Sequence, residues 1–436
     1  MSSELLEVLM CGTGEYTTGW TGSGGSQSDK KVGVVGLTMF DLRRRGKVGN
    51  LTMVGTSGGK FPQIREHLQQ KIGDVYGLDT SFNGLPEGDV RDPEAYKTAI
   101  ARLPKGSAVI IFTPDSTHYP IAKLALESGH HVMVTKPATQ LLEHHQELSA
   151  LAAQKGLVCW VEHHKRYDPA YSDAKMRSAA IGDFSFFTSY MSQPKSQLET
   201  FRAWAGIDSD ISYYLNSHHI DIHCWLVEGK FKPVKVTASA ATGIANSEPY
   251  NCVKQTEDTI TLLVEWESLT PEKRKGTAAP TKSGVHSEQF FHYMGSKGEI
   301  NVNQARRGYD VTVDGEGRTC YNPYVHAFRA RKVELGGLMS CVVVLLVRFY
   351  MKYSPAEDGS FDGQRGYGYL SFEKWIDAVT KVNKGDAKPE LYDEYGLPTI
   401  KNTILTTAII RAGRISLDEK RSVNITQDGN GEYKLE

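Results

Sequence analysis

A chain of 436 residues is long enough for two domains with cores of their own, and its composition, 40% apolar and 23% charged, is that of an ordinary folded protein in water. The 50 Lys and Arg nearly cancel the 51 Asp and Glu, so no one-signed field favours nucleic acid or an anionic membrane surface. Six scattered cysteines (Cys11, Cys159, Cys224, Cys252, Cys320, Cys341) form no Cys-x-x-Cys pair, which argues for free thiols in a reducing compartment and against a disulfide framework or zinc site.

The start, Met1 to Gly12, lacks the basic head and long apolar core of a signal peptide. The longest apolar stretch, Leu335 to Val347, covers 13 residues broken by two glycines and a serine, whereas crossing a bilayer takes about 20. A cytoplasmic protein with no membrane partner is expected.

Leu5 to Cys11 reads as a buried strand entering Gly12-Thr13-Gly14-Glu15-Tyr16-Thr17-Thr18-Gly19. A Gly/Ser-rich stretch, Gly19 to Ser28, then delays a helix expected over about Asp29 to Arg45. Strands follow at Leu51–Gly55, Val109–Phe112, Val132–Val134 and Leu157–Val161, alternating with helices at Pro62–Gln70, Pro120–Ser128 and Leu141–Gln154. That alternation predicts a doubly wound parallel sheet, a Rossmann domain over 1–161. From 162 to 436 the texture changes to successive strands at Phe184–Tyr190, Val234–Ala240, Thr259–Trp266, Phe290–Met294 and Gly298–Val302. These predict an α+β domain with a large open, mostly antiparallel sheet. A final helix, about 399–412, is expected to pack back on it, Thr270–Gly284 reads as an exposed loop, and Tyr324–Arg348 stands apart as an anomalous insert or a translated intron.

Gly12-x-Gly14 after a strand is where a dinucleotide pyrophosphate approaches the backbone, with Glu15 and Tyr16 next to it; Thr17 stands where a third glycine is usual. The second strand ends Gly55-Thr56-Ser57-Gly58-Gly59-Lys60 without the carboxylate that grips ribose hydroxyls. Thr56, Ser57 and Lys60, with Arg65 near, suit a 2′-phosphate, so NADP(H) is preferred and NAD(H) possible. Thr113, Pro114 and His118 end the next strand at the same sheet edge and are expected beside the nicotinamide, as are Lys136 and Pro137 of His131-Val132-Met133-Val134-Thr135-Lys136-Pro137. Lys136 can donate a hydrogen bond to a substrate oxygen as alkoxide charge develops. A proton relay suits histidine, and Tyr213 to His223 offers His218, which shares a helical face with Asp221; Tyr214, Asn216 and His219 join it as candidate substrate contacts. Lys165, in Glu162-His163-His164-Lys165-Arg166-Tyr167-Asp168-Pro169, leaves the nucleotide domain at the cleft and is a further substrate candidate. Hydride transfer needs no metal ion, and no metal site is expected.

Taken together, Gly12-Thr13-Gly14, Thr113-Pro114-x3-His118, Thr135-Lys136-Pro137, Lys165-Arg166-Tyr167-Asp168, His218-x-x-Asp221, Met294 to Ile300 and Gly396-Leu397-Pro398-Thr399 make the chain resemble the glucose–fructose oxidoreductase/inositol dehydrogenase (Gfo/Idh/MocA) family. The resemblance implies hydride chemistry on a small-molecule sugar, uronate or polyol, with Lys136 the catalytic lysine and His218 the relay histidine. It also implies a homo-oligomer built through the C-terminal sheet. Where the family often has aspartate four residues before that histidine, Tyr214 stands here. These departures are similar to a eukaryotic branch labelled D-galacturonate reductase-like, for which Lys165, Lys195 or Arg202 would meet the carboxylate. Two other readings use the same fold: a dinucleotide-binding sensor without turnover, and a redox-assisted glycosidase that retains its cofactor.

Overall fold

The computed structural model describes residues 5–22, 24–26, 30–193, 195, 198, 201–202, 204–270, 275–281, 288–304, 308–313, 317–321, 353–355, 361–364 and 366–436. The expected insert at 324–348 lies outside them.

The first strand, β1 (Leu6–Cys11), sits in the middle of a six-stranded parallel sheet and is almost wholly buried, as a strand covered on both faces must be. With it run β4 (Val48–Val54), β5 (Asn83–Leu85), β6 (Ala108–Ile111), β7 (His131–Thr135) and β8 (Cys159–Glu162), in the order β5-β4-β1-β6-β7-β8. Helices α2 (Val35–Arg44), α3 (Phe61–Leu68), α4 (Asp74–Tyr76), α5 (Ala95–Ala101), α6 (His118–Glu127) and α7 (Leu142–Lys155) connect them. This is the doubly wound arrangement whose ligand crevice lies at the carboxyl ends of the strands, where β1 and β6 diverge.

The helix expected over 29–45 begins at Val35, and the reason is an insertion. A short α1 (Glu15–Thr18) ends at Gly19, which takes the left-handed conformation at φ 72°. The chain then makes a small hairpin, β2 (Trp20–Thr21) with β3 (Gly24–Gly25), and returns so that the Val34 amide donates to the Tyr16 carbonyl at 2.7 Å. The crossing is tight: a Cβ at Gly33 would stand 2.6 Å from the Thr17 carbonyl oxygen. One helix has in effect been cut after its first turn and a lobe inserted.

Beyond β8 the chain builds a ten-stranded sheet from β9 (Phe184–Ser192), β10 (Phe231–Ala241), β11 (Thr259–Ser268), β12 (Lys275–Thr281), β13 (Glu288–Gly295), β14 (Gly298–Asn303), β15 (Gly308–Val313) and β16 (Gly317–Tyr321), completed by β19 (Val423–Gln427) and β20 (Tyr433–Leu435). Its ladders are antiparallel except where β9 meets β12. The expected loop Thr270–Gly284 therefore contains a strand, β12, paired with β11 and β9. β17 (Tyr353–Pro355) and β18 (Phe361–Gln364) form a separate hairpin.

Three helices line one face of the large sheet: α8 (Pro169–Ser178), α9 (Ser217–Leu226) and the last helix, α12 (Ile404–Glu419), which starts five residues later than expected. Gly413 of α12 lets it lie close to β11, since a Cβ there would approach Leu262 Cδ2 to 2.6 Å. Helix α10 (Tyr367–Asn383) instead returns to the first domain, burying Phe372, Trp375, Ile376 and Val379 with Met10, Ile110 and Trp160. The turn after α11 (Glu390–Glu394) follows it, with the Val161 amide donating to Pro398 O at 2.8 Å and Ile400 donating to Cys159 O at 2.8 Å. Among the described residues no helix is long and apolar enough to cross a membrane.

Candidate active site at the domain junction

At the end of β1, Gly12 adopts φ +100° and any Cβ there would collide with the Phe112 carbonyl, so the chain itself requires this glycine. Gly14 is different: a Cβ there would meet nothing within 4 Å. The space it leaves open lies over the turn, the shape a pyrophosphate needs, and in this respect the residues fit a dinucleotide. Thr18 Oγ1 donates to the Thr13 and Gly14 carbonyls at 3.1 Å and firms the turn. The Glu15 carboxylate is tied to the insertion through the Ser26 hydroxyl, and the Tyr16 ring leans on Phe112 at 5.6 Å between centroids.

At the end of β4, Thr56 and Ser57 are zipped to the loop that follows β5: Gly58 N donates to Val90 O at 2.9 Å, Asp92 N donates to Thr56 O at 3.0 Å, and Ser57 bridges Arg91. This loop, silent in the sequence reading, delivers Asp89 and Arg91 to the adenosine end, with Asp89 Oδ1 2.8 Å from where a Gly59 Cβ would stand. Lys60 is exposed there. Arg65 lays its guanidinium on the Phe82 ring and donates to Phe82 O at 2.7 Å.

Thr113 and Pro114 lie at the end of β6, where the Thr117 hydroxyl donates to Thr113 Oγ1 at 2.7 Å. His118 is fully buried beneath them, and this corrects its expected place beside the cofactor. Its Nδ1 lies 2.9 Å from Pro137 O and its Nε2 2.9 Å from Thr113 O. Each neighbour is a carbonyl and a neutral ring carries a single N–H, so the tautomer decides which of the two accepts. His118 thus staples the Thr113 turn to the Lys136–Pro137 turn from below.

Lys136, at the end of β7, sends its ammonium across the cleft to the Tyr214 carbonyl, with Nζ 4.3 Å from the centre of the Tyr214 ring. Burial lowers its pKa to about 8, against the pull of Asp115 and Glu162 and helped by the Lys30 cation. Lys165 is buried too, its Nζ held by the Gln289 and Gln304 side-chain oxygens, and burial likewise lowers it to about 8. His218 lies within electrostatic reach of both; burial and then the charges of Lys136 and Lys165 hold it well below the ordinary histidine value.

The pairing of His218 with Asp221 does not form. Asp221 accepts two bonds from Arg166, at 2.8 and 2.7 Å, and one from Thr406 at 3.3 Å, while His218 Nδ1 has no hydrogen-bond partner among the described residues. The imidazole that a carboxylate does orient is His164, whose Nδ1 lies 2.8 Å from Glu162 Oε2, with Ser371 of α10 donating to Oε1 at 2.9 Å. Its ring centre is 5.2 Å from that of His218. The sequence held a signal for it: Glu162 and His164 stand two apart just before Lys165.

Two expected substrate contacts are used up in the core. Asn216 Nδ2 donates to Ser212 Oγ and Ile260 O, and His219, 1% exposed, meets the Tyr171 hydroxyl at 3.1 Å. Tyr214 does line a cavity, with Lys195, Phe201, Trp204 and Asp258 among its walls. Arg202 faces away and donates to Pro249 O.

A dinucleotide-type parallel sheet, a glycine turn at its crevice and a buried lysine–histidine cluster thus meet where the large sheet joins it. Residues 30–163 match the profile of the Gfo/Idh/MocA family, described as an oxidoreductase family with an NAD-binding Rossmann fold. The glycine turn itself precedes the matched segment. An uncharacterised oxidoreductase of Escherichia coli, YdgJ, is 36% identical over 121 residues, 27% of this chain and 35% of the relative. The scyllo-inositol 2-dehydrogenase (NAD(+)) of Bacillus subtilis is 27% identical over 214 residues, 48% of this chain and 59% of the relative. The chain thus matches about a third to three fifths of the length of these relatives. Over 97% of this chain and 98% of the other, the fold is similar to an inositol dehydrogenase homolog from Azotobacter vinelandii solved with NADH and myo-inositol, at TM-score 0.63 and 16% identity.

Two outcomes follow from this geometry. Replacing His118 with Ala strands a buried carbonyl, worth about 1–3 kcal/mol; urea unfolding should show a loss of about that size, and an unchanged midpoint would remove the staple. Lys136→Met removes a buried cation whose folded-state pKa is depressed. A depressed lysine costs stability below its folded value, near pH 8, and the cost fades as pH rises to the unfolded value, near 10.5. The variant should therefore gain most over the parent in thermal stability at pH 7 and least above pH 10; a gain that grows with pH would contradict the buried charge.

Proposed function

We propose that the chain is an NADP(H)-preferring oxidoreductase of sugars, uronates or polyols, with a D-galacturonate-like uronate the best specific substrate. The observation that carries this reading is the pair of buried ammonium groups, Lys136 and Lys165, placed around a neutral His218 at the carboxyl edge of the nucleotide sheet. A bound nicotinamide would supply hydride exchange with a substrate carbon; the rest falls to the protein. Lys136 donates to the substrate oxygen and stabilises negative charge on it in a site of low dielectric. His218, uncharged at neutral pH, takes the hydroxyl proton in oxidation and returns it in reduction. Lys165 holds a second substrate oxygen or a carboxylate.

The cavity beside Tyr214 supports a carbohydrate, since Phe201, Trp204 and Tyr214 offer ring faces to the apolar side of a pyranose or cyclitol and Lys195 stands at the wall. The inositol dehydrogenase among the relatives points the same way. For the cofactor, Ser57, Lys60 and Arg91 at the end of β4 favour a 2′-phosphate, with Asp89 an opposing charge near Gly59. Free buried thiols at Cys11, Cys159 and Cys224 suit a reducing, cytoplasmic setting.

Initial rates followed by nicotinamide absorbance, with NADPH or NADH against uronates, aldoses, ketoses and inositols, test the reading. Turnover should favour NADPH, fall at least about 100-fold in Lys136→Ala, and lose its NADPH preference in Lys60→Ala. Dinucleotide binding with no turnover on any substrate would sink the enzyme and leave the sensor.

The large sheet's other face presents Phe186, Tyr190, Leu263 and Phe290, with Leu263 45% exposed. Pairing of two such faces in a homo-oligomer would cover them. Light scattering should report a dimer or larger, and Leu263→Lys should shift it towards monomer; a monomeric parent would refute the pairing.

A further inference from the structure

The insertion after α1 is firmly anchored, and what it carries is a cation. Lys31 O lies 3.0 Å from Nε2 of His67 on α3, Trp20 meets the edge of the same ring at 5.5 Å, and the Gly33 amide closes a turn on Lys30 O at 2.8 Å. These contacts, with the Val34–Tyr16 bond at 2.7 Å, fix the backbone from Lys30 to Val34. Its Nζ stands 5.2 Å from the centre of the Tyr16 ring, two residues beyond the glycine that leaves open space over the turn. The charge of Lys30 is also among the causes that lower Lys136, so the two ammonium groups lie within electrostatic reach of one another.

Resting on the dinucleotide reading above, we propose that Lys30 is a cofactor-binding residue, supplied by the insertion, whose ammonium pairs with the pyrophosphate of the bound dinucleotide. The chemistry calls for such a group. A pyrophosphate brings two negative charges to a turn whose Thr17 is buried, so a cation from outside the turn is the natural partner for them. A lysine ammonium is a compact charge with three rotatable donors and accepts phosphate oxygens from several directions. The Tyr16 ring face holds the cation near its place before the ligand arrives. The 2′-phosphate would sit at the far end, with Ser57 and Lys60, so Lys30 should not distinguish NADPH from NADH.

Calorimetric titration of the full chain with NADH and with NADPH, at low and at physiological salt, tests this without any substrate. Lys30→Met should weaken both ligands by about tenfold, the loss expected for one charge-assisted bond, and flatten the dependence of affinity on salt. Lys30→Arg should recover most of the affinity, and adenosine, which lacks phosphates, should bind parent and variants alike. Unchanged affinity in Lys30→Met overturns the proposal while the dinucleotide reading stands; a loss confined to NADPH moves Lys30 to the 2′-phosphate and also overturns it. A parent chain that binds neither dinucleotide removes the underlying reading as well.

Discussion

The buried ion pair between Arg166 and Asp221 holds the junction on which the site depends. Arg166 follows β8 directly, Asp221 lies on α9, and a third bond runs from the Arg166 guanidinium to Gly396 O at 3.0 Å, joining the turn after α11. A charge this deeply buried is expensive alone, and removing either partner typically costs about 3–5 kcal/mol because the other is left without compensation. That cost is what fixes geometry. With Arg166 locked, the adjacent Lys165 can only point toward Gln289 and Gln304; with Asp221 locked, the turn of α9 that carries His218 is set in angle and depth.

The cations around His218 are arranged at the expense of stability. Lys136 and Lys165 are both depressed chiefly by burial, and each is held by neutral oxygens: a backbone carbonyl for Lys136, two side-chain amides for Lys165. The carboxylates nearby act at a distance, Asp115 and Glu162 on Lys136 and Asp168 on Lys165. Buried ammonium groups paired with neutral oxygens are poised for a ligand that brings negative charge as it reacts. The same field keeps His218 neutral, the form in which it can accept a proton.

Much of this was legible in the chain because the informative signals are local. A strand that ends in glycine, or in Thr-Lys-Pro, puts its last residues at the sheet edge whatever the rest of the fold does, and Gly12, Thr113 and Lys136 all stand there. What was misread depends on partners far along the chain. His218 and Asp221 share a helical face at three residues' spacing, but that spacing cannot reveal that Arg166, 55 residues away from Asp221, takes the carboxylate. His118 reads as an edge residue until its two carbonyl partners are seen. Helix α2 starts late because the delay in the sequence is a closed lobe crossing back on Tyr16, and the strand β12 hid inside a Lys/Thr/Pro-rich run whose pairing on both sides overrides its composition.

Tyr214, four residues before His218, is best understood through the backbone that presents it. The segment Ser212–Asn216 is wound as a π-helical turn before α9 continues as an ordinary helix, a device that widens a helix locally and recurs at functional sites. The wide turn carries the Tyr214 carbonyl to the Lys136 ammonium and lays the ring beside it, so the lysine keeps both a hydrogen-bond acceptor and an aromatic face without a formal negative charge. An aspartate at this place would neutralise Lys136 and draw the proton chemistry toward itself. A tyrosine leaves the lysine's charge undiminished, and the nearest carboxylate fixed on an imidazole becomes Glu162, on His164. With tyrosine at this place the carboxylate fixed on an imidazole lies at the end of β8, and the face of the cleft toward Phe201 and Trp204 is aromatic.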